Sequence, residues 1–266
     1  MSARLVFSTC ALVLLAGYSA AWARQPGPDD TTITAPSERT AAAGSPDATG
    51  TEIGAGSGGR FTVGASAVYT SAFVWRGFQV SDGACLQPTA WVAFGPVTVT
   101  SWLNVDRPAP GRSRVTEHDL TIDYAIEWRR LSASVGWTSY YFATGEDGKH
   151  TNEVFASVGF GGFLNPSLQV FHDWQQGGGT YAAVTVSHEF AVADGRATLT
   201  PSVAVGYNRH QWTGTTGWSD AVFGLSLGVP VPASRIAVRP FLSFSMGRRA
   251  AGLPHVLFGG LSVDLE

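Results

Sequence analysis

The chain has 266 residues, a formal net charge of -3, 44% hydrophobic and 14% charged residues. So mild a charge argues against a nucleic-acid partner. A charged fraction well below the roughly 25% of ordinary soluble domains, together with 32 glycines, disfavours a soluble fold.

The first residues carry Arg4, an apolar run from Leu5 to Leu15, and small residues ending Ala21-Trp22-Ala23. This is the order of an export signal, residues 1–23, with cleavage expected after Ala23. Its removal deletes Arg4 and no acid, taking the formal charge from -3 to -4. Cys10 lies in the leader, so Cys85 is left alone and no intrachain disulfide is possible. Residues 24–60 are rich in Pro, Gly, Ala, Ser and Thr, with Ile33 and Ile53 as the only large aliphatics. Such a segment cannot bury a core and reads as a disordered periplasmic spacer.

From Phe61 to Glu266 the sequence alternates apolar and polar in segments of about ten residues. The first strand sets Phe61, Val63, Ala65, Ala67 and Tyr69 against Thr62, Gly64, Ser66 and Thr70, with Phe73 and Trp75 at its top. A strand from Leu86 to Phe94 follows. Gly95-Pro96 then reverses into Val97–Asp106, where Val97, Val99, Leu103 and Val105 oppose Thr98, Thr100, Asn104 and Asp106. The strand from Glu117 to Trp128 turns Leu120, Ile122, Tyr124, Ile126 and Trp128 one way, and Glu117, Asp119, Thr121, Asp123 and Glu127 the other. Arg129-Arg130 makes the next tight turn. Further strands fall near 131–142, 153–160, 167–174, 181–190, 197–207, 221–229, 235–246 and 255–265, with Pro201 and Pro240 expected to interrupt the ladder or mark bulges.

Short turns alternate with longer polar connections at 79–85, 107–115, 143–150, 174–179, 208–217 and 247–254. No run beyond the leader approaches the roughly 18 apolar residues of a spanning helix. The pattern predicts an all-β protein: an antiparallel transmembrane β-barrel of about 12 strands over residues 61–266, with both termini periplasmic. Tyr69, Phe73 and Tyr141 should form an outer aromatic girdle, and Phe94, Trp128, Phe160 and Phe190 an inner one. A secreted β-sandwich would show the same alternation but not these girdles.

At the first hairpin the chain reads Ser71-Ala72-Phe73-Val74-Trp75-Arg76-Gly77, followed by a loop bearing Gln79, Ser81 and Asp82. Together with Asn104-Val105-Asp106, Glu117-x-Asp119 and Asn152-Glu153-Val154, this resembles the TorF-type porins, Gram-negative outer-membrane barrels. Ala72 stands where that family often has an acid that would partner the arginine. The resemblance implies a porin-like barrel. The terminal strand, with Gly260, Val263 and Leu265, resembles the C-terminal signal read by barrel-assembly machinery, although Glu266 follows Leu265 where that signal usually ends in an aromatic.

By strand parity Glu117, Asp119, Asp123, Glu127, Glu153 and Asp173 face the lumen, where they would favour cations. The other reading pairs them with inward Arg76, Arg235 and Arg239 as a salt-bridged plug. His118, His150, His172, His188, His210 and His255 are scattered, and no His-x-Ser-Asn or nucleophile-elbow arrangement appears, so no catalysis is expected. Neither a metal motif nor a phosphate loop is present, and no cofactor is expected; Gly177-Gly178-Gly179 reads as a loop. The expected setting is a Gram-negative outer membrane, with its lipid, ions or small solutes, and the assembly machinery as partners. Passive passage of ions or small solutes is the expected role. The alternative is a non-conducting barrel that binds a partner or braces the envelope through its outer loops.

Overall fold

The computed structural model describes residues 51–52, 61–109, 112–143 and 149–265. The export signal and most of the 24–60 spacer lie outside these residues. Twelve long strands close into one antiparallel barrel: β1 (Phe61–Thr70), β2 (Cys85–Phe94), β3 (Val97–Ala109), β4 (Arg112–Trp128), β5 (Leu131–Phe142), β6 (Lys149–Phe160), β7 (Ser167–Asp173), β8 (Gly179–Ser187), β9 (Ala197–Arg209), β10 (Thr216–Pro230), β11 (Ile236–Gly247) and β12 (His255–Leu265). Each strand pairs with its neighbours in sequence, and β12 returns to β1 through Gly260↔Thr70 to Leu265↔Ala65. Closure leaves no unpaired edge along the ladder. Thr51–Glu52, within the stretch that composition reads as disordered, pairs with Val63 and Thr62 on β1, beyond the end of β12.

Alternation decides which face is which, and the barrel is inside out relative to a soluble core. On β4, Leu120, Ile122, Tyr124 and Ile126 are exposed, while Glu117, Asp119, Thr121 and Asp123 are buried. The same division holds around the wall, with Val92, Val158, Val184, Leu225, Leu242 and Leu261 outward and Thr89, Ser134, Thr185, Ser226, Ser243 and Ser262 inward. Outward rings gather at the two ends. Phe94, Trp128, Phe160 and Phe190 are exposed at the end carrying the short turns, and Tyr69, Tyr141, Tyr207 and Trp218 at the end carrying the longer connections.

The inward face is not uniformly polar. Trp91, Phe155 and Phe241 point into the barrel, each directly opposite a glycine on the next strand: Gly64, Gly136 and Gly260. A Cβ on Gly64 would sit 2.2 Å from Trp91 Cζ2, and one on Gly136 would sit 2.4 Å from Phe155 Cζ. A large ring can therefore lie across the neighbouring strand only because that strand has no side chain there, a pairing that also lets a tightly curved sheet bend.

Three details differ from the sequence reading, and the two prolines behave as it expects. In the segment 107–115, the described residues 107–109 and 112–115 are strand rather than loop, since β3 and β4 pair on past Asp106↔Arg114 to Ala109↔Arg112, with register shifts after Asn104 and Asp106. Pro201 and Pro240 lie inside β9 and β11 without a register shift, opposite Leu225 and Leu261. On its other side each interrupts the ladder, as expected: pairing with β8 lapses between Ser187↔Ser202 and Phe190↔Leu199, and pairing with β10 between Ser226↔Phe241 and Val229↔Val238. Beyond Ser187, β8 breaks and resumes as Phe190–Val192, still paired with β9. Finally, β1 ends at Thr70, and the chain beyond it turns into the barrel, so Phe73 is buried and takes no part in an outer girdle.

Candidate functional site in the barrel lumen

After β1 the chain forms a small hairpin, Phe73–Trp75 paired with Phe78–Ser81. Arg76 and Gly77 make its two-residue turn, with φ of 49° and 82°. Positive φ at both central positions gives the tight turn whose twist suits a hairpin, and Gly at the second position is favoured there. A side chain at Gly77 would also meet Asp220 Cβ at 2.9 Å and Leu253 Cδ1 at 3.0 Å, so the tip lies against the wall. Apolar anchors hold the hairpin at its base. Phe73 packs with Cys85 and Trp102, and Val74 packs with Val68, Phe241, Val256 and Phe258.

The tip carries the Arg76 guanidinium across the lumen from the β1–β2 side to β6. Nη1 donates to Glu153 Oε2 at 2.6 Å and to Gln211 Oε1 at 2.5 Å, and Nη2 donates to Glu153 Oε1 at 2.8 Å. Gln211 Nε2 and the Tyr140 hydroxyl donate to the same carboxylate at 2.6 and 2.8 Å. Gln211 is itself fixed, because its amide donates to Asn208 Oδ1 at 2.8 Å. The guanidinium plane is enclosed by rings, 4.1 Å from the Phe171 centroid, 4.5 Å from Trp75 and 5.0 Å from Tyr181. A two-toothed ion pair with aromatic faces over the cation is the arrangement in which a buried arginine is held most firmly.

Arg76 and Glu153 thus meet as a pair, and Arg239 meets a different acid, Asp264, at 3.1 Å. Arg235 does not reach the lumen; it stands exposed in the turn before β11 begins at Ile236. Asp173 is buried opposite Glu153 and accepts from Thr151 Oγ1 at 2.8 Å and from the Gln175 amide at 2.8 Å. Glu117, Asp119 and Asp123 line β4 in sequence, spanning about 20 Å along the strand. The Asp119 Oδ1 atom is buried with no hydrogen-bond partner. Glu127 is half-buried at the far end of the same row.

Of the motif residues, Asn104 ties the mouth together. Its amide donates to Asp106 Oδ1 at 2.8 Å and to Thr116 Oγ1 at 2.7 Å, and its Oδ1 accepts from Gln87 at 3.1 Å. Ser71 joins β12 to the hairpin base, since the Gly259 amide donates to Ser71 Oγ at 3.1 Å. At the other end of β12, Val263 and Leu265 face outward and pair with Ala67 and Ala65, closing the barrel.

Asp220, one residue before the strand 221–229 expected from the sequence, is a further lumen residue. It accepts from the Tyr181 hydroxyl at 3.2 Å, yet it follows a register shift between Gly206 and Tyr207 that puts Ser219 and Asp220 inside in succession. Parity counted from Trp218 would fail across that bulge. Among the described residues, the buried charges are seven carboxylates (Glu117, Asp119, Asp123, Glu153, Asp173, Asp220 and Asp264) against two guanidiniums (Arg76 and Arg239).

The chain matches no protein-family model and no curated protein. Among the described residues no helix is long and apolar enough to cross a membrane.

Proposed function

We propose that the protein is a porin-like barrel of a Gram-negative outer membrane, with both termini on the periplasmic side, that passes small cations through a narrow acidic lumen. The observation carrying this reading is the excess of seven buried carboxylates over two buried guanidiniums. The membrane setting is supported by the continuous apolar outer face with rings gathered at both ends, since lipid-facing strands turn apolar residues outward and polar ones inward. The resemblance to TorF-type porins agrees with it.

The deciding experiment is single-channel current from the refolded protein in a planar bilayer under a salt gradient. Discrete cation-selective steps, with selectivity weakened in a Glu117→Gln/Asp119→Asn/Asp123→Asn variant, are the expected result. A barrel that inserts and stays silent would move the role to the second reading, a non-conducting barrel acting through its loops. One observation favours that reading: the hairpin tip spans the lumen and is locked to the far wall by Arg76 and Glu153. A heat-dependent shift in gel mobility should accompany either reading, and its absence would count against a detergent-stable barrel altogether.

A further inference from the structure

At the loop end of β9, β10 and β11, cationic side chains gather on the outer wall rather than over the lumen. Arg209 continues the outward row of Val205 and Tyr207 on β9. Thr216 pairs with Arg209 and leads to outward Trp218 on β10. Arg248 follows outward Phe244 and Met246 on β11, and its Nη1 approaches the Thr216 carbonyl at 3.4 Å. Arg249 is exposed one residue further on, and His210 bonds the Thr216 hydroxyl at 3.1 Å. Arg209, Arg248 and Arg249 make no ion pair among the described residues. The acid of this segment, Asp220, is 1% exposed and turned to the lumen.

The patch is layered along the wall. Guanidiniums are uppermost, Tyr207 and Trp218 lie beneath them at 50% and 39% exposure, and Val205, Leu225 and Phe244 continue below. A charge layer, an amphipathic ring layer and a hydrocarbon layer succeed one another in the order of a lipid's phosphate, its interfacial region and its acyl chain. Guanidiniums recognise phosphate by paired, charge-assisted hydrogen bonds.

We propose that this patch is a binding site for one phosphorylated lipid of the leaflet facing the loops, with Arg209, Arg248 and Arg249 on the phosphate and the acyl chain along Val205, Leu225 and Phe244. The proposal rests on the membrane reading above. It is distinct from lumen conductance, because Arg209, Tyr207 and Val205 lie on the outward face of β9 and Arg248 reaches the Thr216 carbonyl beside them.

The test is native mass spectrometry of the whole refolded protein from mixed micelles containing diphosphoryl lipid A and phosphatidylcholine. The expected result is a lipid A adduct in preference to phosphatidylcholine, reduced about tenfold in Arg209→Gln/Arg248→Gln, the size expected for losing charge-assisted bonds. Arg129→Gln/Arg130→Gln, at the opposite end, should leave it unchanged. Equal adducts in the parent and the first variant, equal losses in both variants, or displacement by inorganic phosphate alone would overturn the proposal. Should the double variant not fold, as judged by heat-dependent mobility, Arg209→Gln alone carries the same readout with a smaller loss. Failure to insert into vesicles at all would sink the membrane reading itself, whereas insertion without lipid A preference sinks only this site.

Discussion

Glu153 is the residue on which most of the lumen's order depends, because it accepts from Arg76, Gln211 and Tyr140 at once and is wholly buried. Removing the cation leaves a carboxylate with no counter-charge in a low-dielectric setting, a loss of about 3–5 kcal/mol. Arg76→Met should therefore lower markedly the temperature at which the barrel loses its compact gel migration, and Arg76→Met/Glu153→Gln should recover much of it. A double variant as damaged as the single one would mean that the pair is not what holds the tip. Gly64→Ala makes a second residue-scale expectation. All three near contacts of its Cβ are to the Trp91 ring, so overpacking should cost about 1–3 kcal/mol in a denaturant titration, and almost nothing in a Trp91→Ala background. An unchanged cost in that background would place the strain in the backbone instead.

Among the elements, β4 was legible from Glu117 to Trp128 but not over its first residues, 112–116, and the inserted hairpin was not legible as part of the lumen. Strict alternation over Glu117 to Trp128 fixes which side chains face inward, because a period of two on a closed wall leaves no other arrangement. The hairpin of Phe73–Ser81 continues β1 with residues of the same apolar character, and nothing local marks the point after Thr70 where the chain leaves the wall. What turns it inward is tertiary: the Phe73 contact with Trp102, the Val74 contact with Phe258, and the waiting Glu153. Asp220 was missed because it lies one residue before the expected strand 221–229, although the parity of outward Phe223 and Leu225 continues inward to it. Pairing partners were equally out of reach, so Arg76, Arg235 and Arg239 could be offered to the acids only as a group, and one of the three proved to stand outside. Replacing Phe73–Ser81 by a short Gly-Ser link should raise single-channel conductance while leaving cation preference in place, because β4 keeps its acids. An unchanged conductance would mean that the tip does not lie in the ion path.

The whole molecule reverses the usual division of residues, and the reversal gives a test whose sign alone decides the setting. In a soluble barrel an arginine placed on the outer wall costs little and improves solubility, since that face meets water. On a lipid-facing wall the same change costs about 2–4 kcal/mol near the bilayer midplane and falls toward zero at the rims. Leu225 is 46% exposed, near the middle of β10, with Phe223 two residues before it and Leu242 directly opposite on the same face. Leu225→Arg should therefore lower stability in a urea titration from lipid vesicles. Leu265→Arg, on the outer face at the turn end of β12, should be nearly silent. The neighbouring lumen residue supplies the internal control: Ser226→Ala removes an inward hydroxyl beside Leu225 and should change stability little on either account. A Leu225→Arg protein as stable as the parent, in vesicles or in water, would remove lipid from the description of this wall. A depth-dependent loss would tie the alternation of twelve strands to a bilayer, and with it the acidic interior to a passage between two aqueous compartments.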